Sequence, residues 1–273
     1  MPELPEVETI ARDLAPLLRG LRIAKVWHAA QPPVFDRHSL PPEMLAGRTV
    51  IAVERAGKFV VIELSAGLRL AVHLRMTGRL IFRPVHAPLP PDAERYARAT
   101  LSFRGGAELL FADVRKFGRL RVFRGGAQDA LALGVDPFDR RLDATALAAL
   151  TRKRTTPVKM WLLDQRRLAG VGNIYACEAL YYARLRPKRR VGRLTALERH
   201  RLLLALRKVL RKAIYHRGSS VDDYVDAAGE SGRFQNHLAV YGRAGMPCRR
   251  CGTPINRMVL GQRGTFYCPA CQR

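Results

Sequence analysis

Between residues 5 and 18, apolar positions recur at Val7, Ile10, Ala11, Leu14 and Leu18, which is one face of a helix, and Pro5 suits its first position. The pattern then changes to period two. Strands are predicted at 21–28, 50–55, 59–64, 68–76, 98–104, 108–112 and 119–123. Leu68, Leu70, Val72 and Leu74 alternate with Arg69, Ala71, His73 and Arg75, so this strand should show one apolar face and one largely basic face. This many short strands with turn signals between them predict a β-sandwich. The Pro-rich stretch 83–95 reads as a surface loop.

Beyond Gly134-Val135-Asp136-Pro137 the periodicity is helical. Thr156 is expected to cap a helix that starts at Pro157, runs to about Arg167 and is stopped by Gly170. Asn173 is expected to cap a second helix to about Ala183. Thr195 and Glu198 form a capping box for a long helix from 196 to about Arg217, ended by Gly218. A short helix is expected around 220–227. The turn Gly170-Val171-Gly172 feeding the Asn173 helix would expose backbone N–H groups at the positive end of a helix dipole, a ready phosphate site.

Cysteine spacing adds a metal. Cys248 and Cys251 form one CxxC pair, Cys268 and Cys271 another. Two such turns can offer four thiolates to one tetrahedral ion, so one structural Zn2+ is expected. Met258-Val259-Leu260 and Thr265-Phe266-Tyr267 flank Gly261-Gln262-Arg263-Gly264, the pattern of a β-hairpin. A unit this small cannot bury a core of its own, so zinc would supply its folding energy. The fifth cysteine, Cys177, reads as a small buried hydrophobe. The chain is therefore expected to be α+β, with an N-terminal β-sandwich and leading helix, a helical domain, and a C-terminal zinc β-hairpin.

Charge narrows the partner. The 273 residues carry 48 Lys+Arg against 23 Asp+Glu, a formal net charge of +25. Codon bias can favour arginine over lysine, but it does not produce an excess of bases over acids. Nucleic acid is the expected partner, with a ribosomal or a membrane-surface role the alternatives on charge alone. Glu3, Glu6 and Glu8 stand where a secretory leader would be positive. No uncharged apolar run approaches the roughly 18 residues of a membrane span. A cytoplasmic location without membrane contact is expected.

The opening Met1-Pro2-Glu3-Leu4-Pro5-Glu6 offers further chemistry. Removal of Met1 would leave Pro2 with a free secondary amine, less basic than lysine and more often neutral at pH 7. Such an amine can attack an electrophilic carbon and form an iminium, with Glu3 beside it to move protons. The same residues also suit a plain helix start.

Together with these features, several motifs resemble the bacterial formamidopyrimidine-DNA glycosylase family over the whole chain. They are PELPEVET at 2–9, Ala56-Gly57-Lys58, His73-Leu74-Arg75-Met76-Thr77-Gly78, Asp113-Val114-Arg115-Lys116-Phe117-Gly118, Gly172-Asn173-Ile174-Tyr175-Ala176, Val240-Tyr241-Gly242-Arg243 and Arg263-Gly264-Thr265-Phe266-Tyr267-Cys268. The resemblance implies a β-sandwich domain (1–134), a hinge (135–150), a helix–two-turn–helix domain (151–239) and a zinc hairpin (240–273). It implies removal of oxidised purines from double-stranded DNA, by a monomer, followed by strand cleavage. Pro2 would be the nucleophile at the sugar C1′, Glu3 the general acid/base, Lys58 the assistant of β-elimination and Arg263 that of δ-elimination, with Glu6 positioning the site.

By the same resemblance, Met76, Arg115 and Phe117 would fill the gap left by a flipped-out nucleotide, and a loop near 221–234 would cover it. His73, Tyr96, Arg154 and Asn173 would contact DNA. Tyr96 stands where many relatives have His, and Arg154 where they have Lys. Arg217-Gly218-Ser219-Ser220 replaces a frequent Gly-Gly-Thr/Ser run. Two other readings are an endonuclease VIII-like glycosylase of oxidised pyrimidines and a non-catalytic DNA-binding factor. Leu4 and the Met76/Arg115/Phe117 set argue against the first. Joint retention of Pro2, Glu3, Lys58 and Arg263 argues against the second, because binding alone needs neither Pro2 nor Glu3.

Overall fold

A computed structural model describes residues 1–220 and 230–273. The chain forms two compact units, one of Met1–Leu131 with Arg217–Arg233, the other of Ala132–His216 with Phe234–Arg273.

The first unit opens with helix α1 (Leu4–Leu18). Its expected face is the buried one, with Val7, Leu14 and Leu18 wholly inaccessible. Eight strands follow: β1 (Ile23–His28), β2 (Val50–Ala56), β3 (Phe59–Leu64), β4 (Leu68–His73), β5 (Gly78–Arg83), β6 (Ala97–Phe103), β7 (Glu108–Asp113) and β8 (Arg119–Arg124). A short helix α2 (Pro91–Arg95) precedes β6, and another, α3 (Ala127–Ala130), follows β8. The strands make two four-stranded antiparallel sheets, ordered β1-β6-β7-β5 and β2-β3-β4-β8. Inward residues of both sheets share one core with α1, among them Ile62, Leu70, Val72 and Val122 from one sheet and Leu101, Phe103 and Phe111 from the other. This is the expected sandwich.

Three details differ from the sequence reading. The strand expected over 68–76 ends at His73, because Arg75 takes a left-handed φ of 56° and turns the chain. The chain then enters β5, which was not foreseen. The second face of β4 carries the expected Arg69 and His73 but is also packed. Ala71 packs there with Val61, Phe123, Ala127 and Leu131, and His73 is buried. The Pro-rich stretch contains α2, whose Ala93 packs on Leu110 and Ala112 of β7.

The second unit is helical with a hairpin: α4 (Ala144–Thr151), α5 (Val158–Leu163), α6 (Asn173–Tyr182), α7 (Ala196–Tyr215), β9 (Asn256–Leu260) and β10 (Arg263–Tyr267). Helix α4, capped by Asp143, lies in and just after the segment read as a hinge. Thr156 is not a cap. Pro157 is extended and bridges to Arg190, and α5 closes at Asp164, well short of Arg167. Gly172, not Asn173, occupies the cap of α6. The Thr195–Glu198 box is present, with Glu198 Oε2 accepting from the Thr195 N–H at 2.8 Å. Helix α7 ends two residues before the expected Arg217. The short helix expected at 220–227 falls almost wholly on residues 221–229, outside the described residues. Among the described residues no helix is long and apolar enough to cross a membrane.

Candidate functional site

The first unit gathers the N-terminal candidates. Pro2 and Glu3 directly precede α1 and both are buried, Glu3 to 3% exposure. The Glu3 N–H donates to Glu6 Oε2 at 2.8 Å. The other oxygen of Glu6 accepts from the Ser219 N–H at 2.8 Å. One buried carboxylate thereby ties the start of α1 to the segment at 217–220. Gly218 is required in that contact, since its φ is 82° and a Cβ would lie 2.8 Å from Glu6 Cγ. Arg217 adds an ion pair to Asp13 of α1 at 2.6 Å. The Gly232 N–H donates to Ser220 Oγ at 2.9 Å. These bonds hold both stems of the loop expected to cover a flipped base; residues 221–229 of that loop lie outside the described residues.

Lys58 sits in the two-residue turn between β2 and β3 rather than within a strand, and is 6% exposed. An arginine missed in the sequence, Arg55, braces this turn. It pairs with Glu8 of α1 at 2.9 Å and donates to the Gly57 carbonyl at 3.3 Å. His73 faces Phe59 edge-on with ring centroids 4.7 Å apart, and its Nδ1 accepts from the Arg75 N–H at 3.0 Å. Burial first, then the cations Arg75 and Lys58, push its pKa down to about 3, so the imidazole is neutral at physiological pH.

Met76, Arg115 and Phe117 come together at the exposed ends of two strand connections. Arg115 Nη1 lies 3.2 Å from Met76 Sδ, and its guanidinium carbon lies 4.9 Å from the centre of the Phe117 ring. Met76 and Phe117 are 41% and 49% exposed. Tyr96 ends α2, half-buried, and its carbonyl accepts from the Asp113 N–H at 2.9 Å.

In the second unit, β9 and β10 pair through a two-residue turn at Gly261 and Gln262, both with positive φ. Arg263 is exposed at the first position of β10. The backbone beside it is held from below. Lys159 of α5, wholly buried, donates to Thr265 Oγ1 at 2.6 Å and to the Gly264 carbonyl at 3.1 Å. Asn173 donates to the same carbonyl at 3.0 Å. The Asn173 amide is thus used to hold the hairpin. Nothing local in the sequence marked Lys159, because its partners lie far along the chain. Arg154 is exposed on the loop before α5.

The ligand atoms of Cys248, Cys251, Cys268 and Cys271 all lie within 4.8 Å of one another. That spacing fits four thiolates around one tetrahedral zinc at about 2.3 Å each. The module does not depend on metal alone, as the sequence had suggested. Cys248, Cys268, Ile255 and Val240 share a core with Cys177 and Tyr181 of α6. Buried Glu178 of α6 accepts the N–H groups of Ala239, Val240 and Tyr241, each at 2.9 Å.

Three family models match this chain. They are the formamidopyrimidine-DNA glycosylase N-terminal domain over residues 1–120, the H2TH domain of the same family over 133–225, and a zinc finger found in Fpg and IleRS over 245–273. The zinc-finger match and the cysteine cluster together assign one structural Zn2+ to this module. Formamidopyrimidine-DNA glycosylase of Moorella thermoacetica is 46% identical over 94% of both chains. The MutM (Fpg) protein of Thermus thermophilus has a similar structure, with a TM-score of 0.85 at 42% identity, covering 99% of this chain and 98% of its own. Lactococcus lactis Fpg in complex with abasic-site DNA matches with a TM-score of 0.85 at 33% identity over 99% of each chain.

Proposed function

Since the chain belongs to the formamidopyrimidine-DNA glycosylase family, we propose that it is a monomeric, cytoplasmic base-excision enzyme that removes oxidised purines from duplex DNA and then cuts the strand. The observation that carries this reading is the burial of Pro2 and Glu3 and the bond from the Glu3 N–H to Glu6. The Glu3–Glu6 bond is half of a capping box that any helix start gains from, so the weight rests on Pro2 and Glu3 lying buried side by side at the start of the chain.

Pro2 becomes a secondary amine once Met1 is removed. Its nitrogen lone pair forms a bond to C1′ of the extruded nucleotide, and the glycosidic C–N bond breaks with its electron pair leaving on the base. Glu3 protonates the departing group, takes up the proton that the Pro2 nitrogen sheds and passes it to the sugar ring oxygen, so that the ring opens to a Pro2 iminium. Loss of a C2′ proton then expels the 3′ phosphate, with Lys58 assisting. A second elimination expels the 5′ phosphate, with Arg263 assisting and holding phosphate. Met76, Arg115 and Phe117 occupy the vacated stack. Glu6 keeps the Glu3 backbone in place. His73 and Tyr96 of the first unit would contact DNA, as would Arg154 of the second, with Asn173 acting through the hairpin it holds. The zinc is structural, because all four of its ligand positions are protein thiolates.

The test is trapping with sodium borohydride on a duplex that carries 8-oxoguanine opposite cytosine. A covalent protein–DNA adduct is expected from processed protein. It should be absent in protein that retains Met1 and weakened in Pro2→Gly, whose terminal amine is primary. No adduct from processed protein overturns the mechanism.

A further inference from the structure

The two motifs that carry Met76 and Phe117 are joined by a buried group that touches neither. Asp113, at the end of β7, is 1% exposed. Its Oδ1 accepts from the Thr77 hydroxyl at 2.5 Å and from the Arg115 N–H at 3.2 Å. Its Oδ2 accepts from the Gly118 N–H at 2.7 Å. Thr77 Oγ1 also lies 3.2 Å from the Arg115 nitrogen. One carboxylate thus spans residues 77, 115 and 118. Gly118 has no room for a side chain, because a Cβ would lie 2.3 Å from the Phe111 ring and 3.1 Å from Asp113 Oδ2.

The two loops share a construction. Arg75 immediately precedes Met76 with φ 56°, and Lys116 immediately precedes Phe117 with φ 58°. For side chains of this size the left-handed region costs of order 1 kcal/mol per residue and persists only where surrounding bonds over-determine it. The bonds from Thr77, Arg115 and Gly118 to Asp113 flank both residues, and the Arg75 N–H is also held by His73 Nδ1. Charge-assisted hydrogen bonds in a buried setting are about twice as strong as neutral ones.

We propose that Asp113 and Thr77 are positioning residues: they clasp the two loops so that Met76, Arg115 and Phe117 enter the DNA stack as one preassembled wedge. This rests on the reading of those three side chains as the stack-filling group. Without the clasp the loops would have to be ordered at the moment of insertion, which slows insertion but leaves the chemistry at Pro2 untouched.

The experiment uses full-length processed protein and a duplex with a tetrahydrofuran abasic analogue next to 2-aminopurine, whose fluorescence rises as its neighbour is unstacked. Phe117→Ala is the wedge control. Thr77→Val and Asp113→Asn are expected to slow the fluorescence rise by about tenfold or more, the loss of one or more charge-assisted bonds. Thr77→Ser, which keeps the hydroxyl, should restore the rate to within about twofold of the parent. Adding Thr77→Val to Phe117→Ala should cost nothing further, because the clasp acts through the wedge. Borohydride trapping on a single-stranded abasic oligonucleotide, which has no stack to fill, should be unchanged in Thr77→Val, Thr77→Ser and Asp113→Asn.

A normal rate in Thr77→Val alongside a slow Phe117→Ala overturns the clasp and leaves the wedge standing. A normal rate in Phe117→Ala overturns the wedge reading and the clasp with it. Loss of single-strand trapping in Thr77→Val overturns the proposal in favour of a general structural role. If Asp113→Asn does not fold, the Thr77 series decides alone.

Discussion

Lys159 Nζ and Thr265 Oγ1 are 2.6 Å apart, joining a wholly buried lysine on α5 to the strand that begins with Arg263. Thr265 Oγ1 in turn donates to the Arg263 carbonyl at 3.1 Å. The exposed guanidinium therefore rides on a backbone fixed by an amine that never reaches solvent. Lys159→Met keeps the volume and removes the bonds. The expected result is a shift in reaction products, with δ-elimination falling about tenfold relative to β-elimination and Schiff-base trapping little changed. Product ends resolved on a denaturing gel give the ratio. An unchanged ratio would mean that the hairpin tip holds Arg263 without Lys159.

The zinc module shares its core with α6 through Cys177, Tyr181, Cys248 and Cys268. Chelation, or Cys268→Ser, should therefore abolish duplex binding and also lower the melting temperature of the helical unit by several degrees, since metal binding contributes directly to folding. Differential scanning calorimetry with a colorimetric zinc assay would follow both, with one zinc per chain at the start. Retention of tight DNA binding by the metal-free protein would remove the hairpin from the binding surface.

Glu178 is buried, and burial pushes its carboxyl pKa up against the pull of three N–H donors and Arg249. Its job is to satisfy the N–H groups of Ala239, Val240 and Tyr241, which lead into the zinc module. Glu178→Gln leaves a single acceptor oxygen for three donors. A loss of about 1–3 kcal/mol of stability is expected for a buried donor left unsatisfied. Denaturant unfolding of the holoprotein measures it, and a loss below about 0.5 kcal/mol would show that water replaces the lost bond.

His73 binds a proton near pH 3 in the folded chain and near 6.5 when exposed. Between those values the unfolded state takes up the proton and the folded state does not. The stability gained by keeping the ring neutral is present above pH 6.5 and is lost as the pH falls, at up to about 1.4 kcal/mol per pH unit. His73→Gln should show a shallower loss of stability between pH 6.5 and 4 than the parent. Parallel pH profiles would place the acid sensitivity elsewhere.

Binding to any duplex should weaken steeply with salt, because the basic side chains displace condensed counterions. A linear fall of log affinity with log salt concentration is expected, with a slope reduced by about one in Arg154→Ala if that exposed residue neutralises one phosphate. An unchanged slope would exclude Arg154 from the contact.

Sequence by itself determined the features whose cause is local. Cysteine spacing specified the metal site, because each CxxC turn presents its two thiols without help from distant residues. Periodicity specified α1, α7 and most sandwich strands, because burial of one face repeats within the element itself. The Thr195–Glu198 box closes within four residues. Strand β5 escaped notice because its pattern is short and runs straight on from a turn set by Arg75. Thr156 lost its expected role because extended Pro157 pairs with Arg190, a residue that the local pattern does not contain. Asn173 stands in a typical capping context, yet its amide serves Gly264, far along the chain.

Only tertiary structure decided the group that supports the candidate chemistry: Arg55 on Glu8 and Gly57, Lys159 under the hairpin, Glu6 between Glu3 and Ser219, and Asp113 across two loops. These are buried charged or polar groups whose partners lie on other elements. A buried charge is stable only where folding delivers its partner, and that delivery follows from the packing of whole elements rather than from neighbours in sequence.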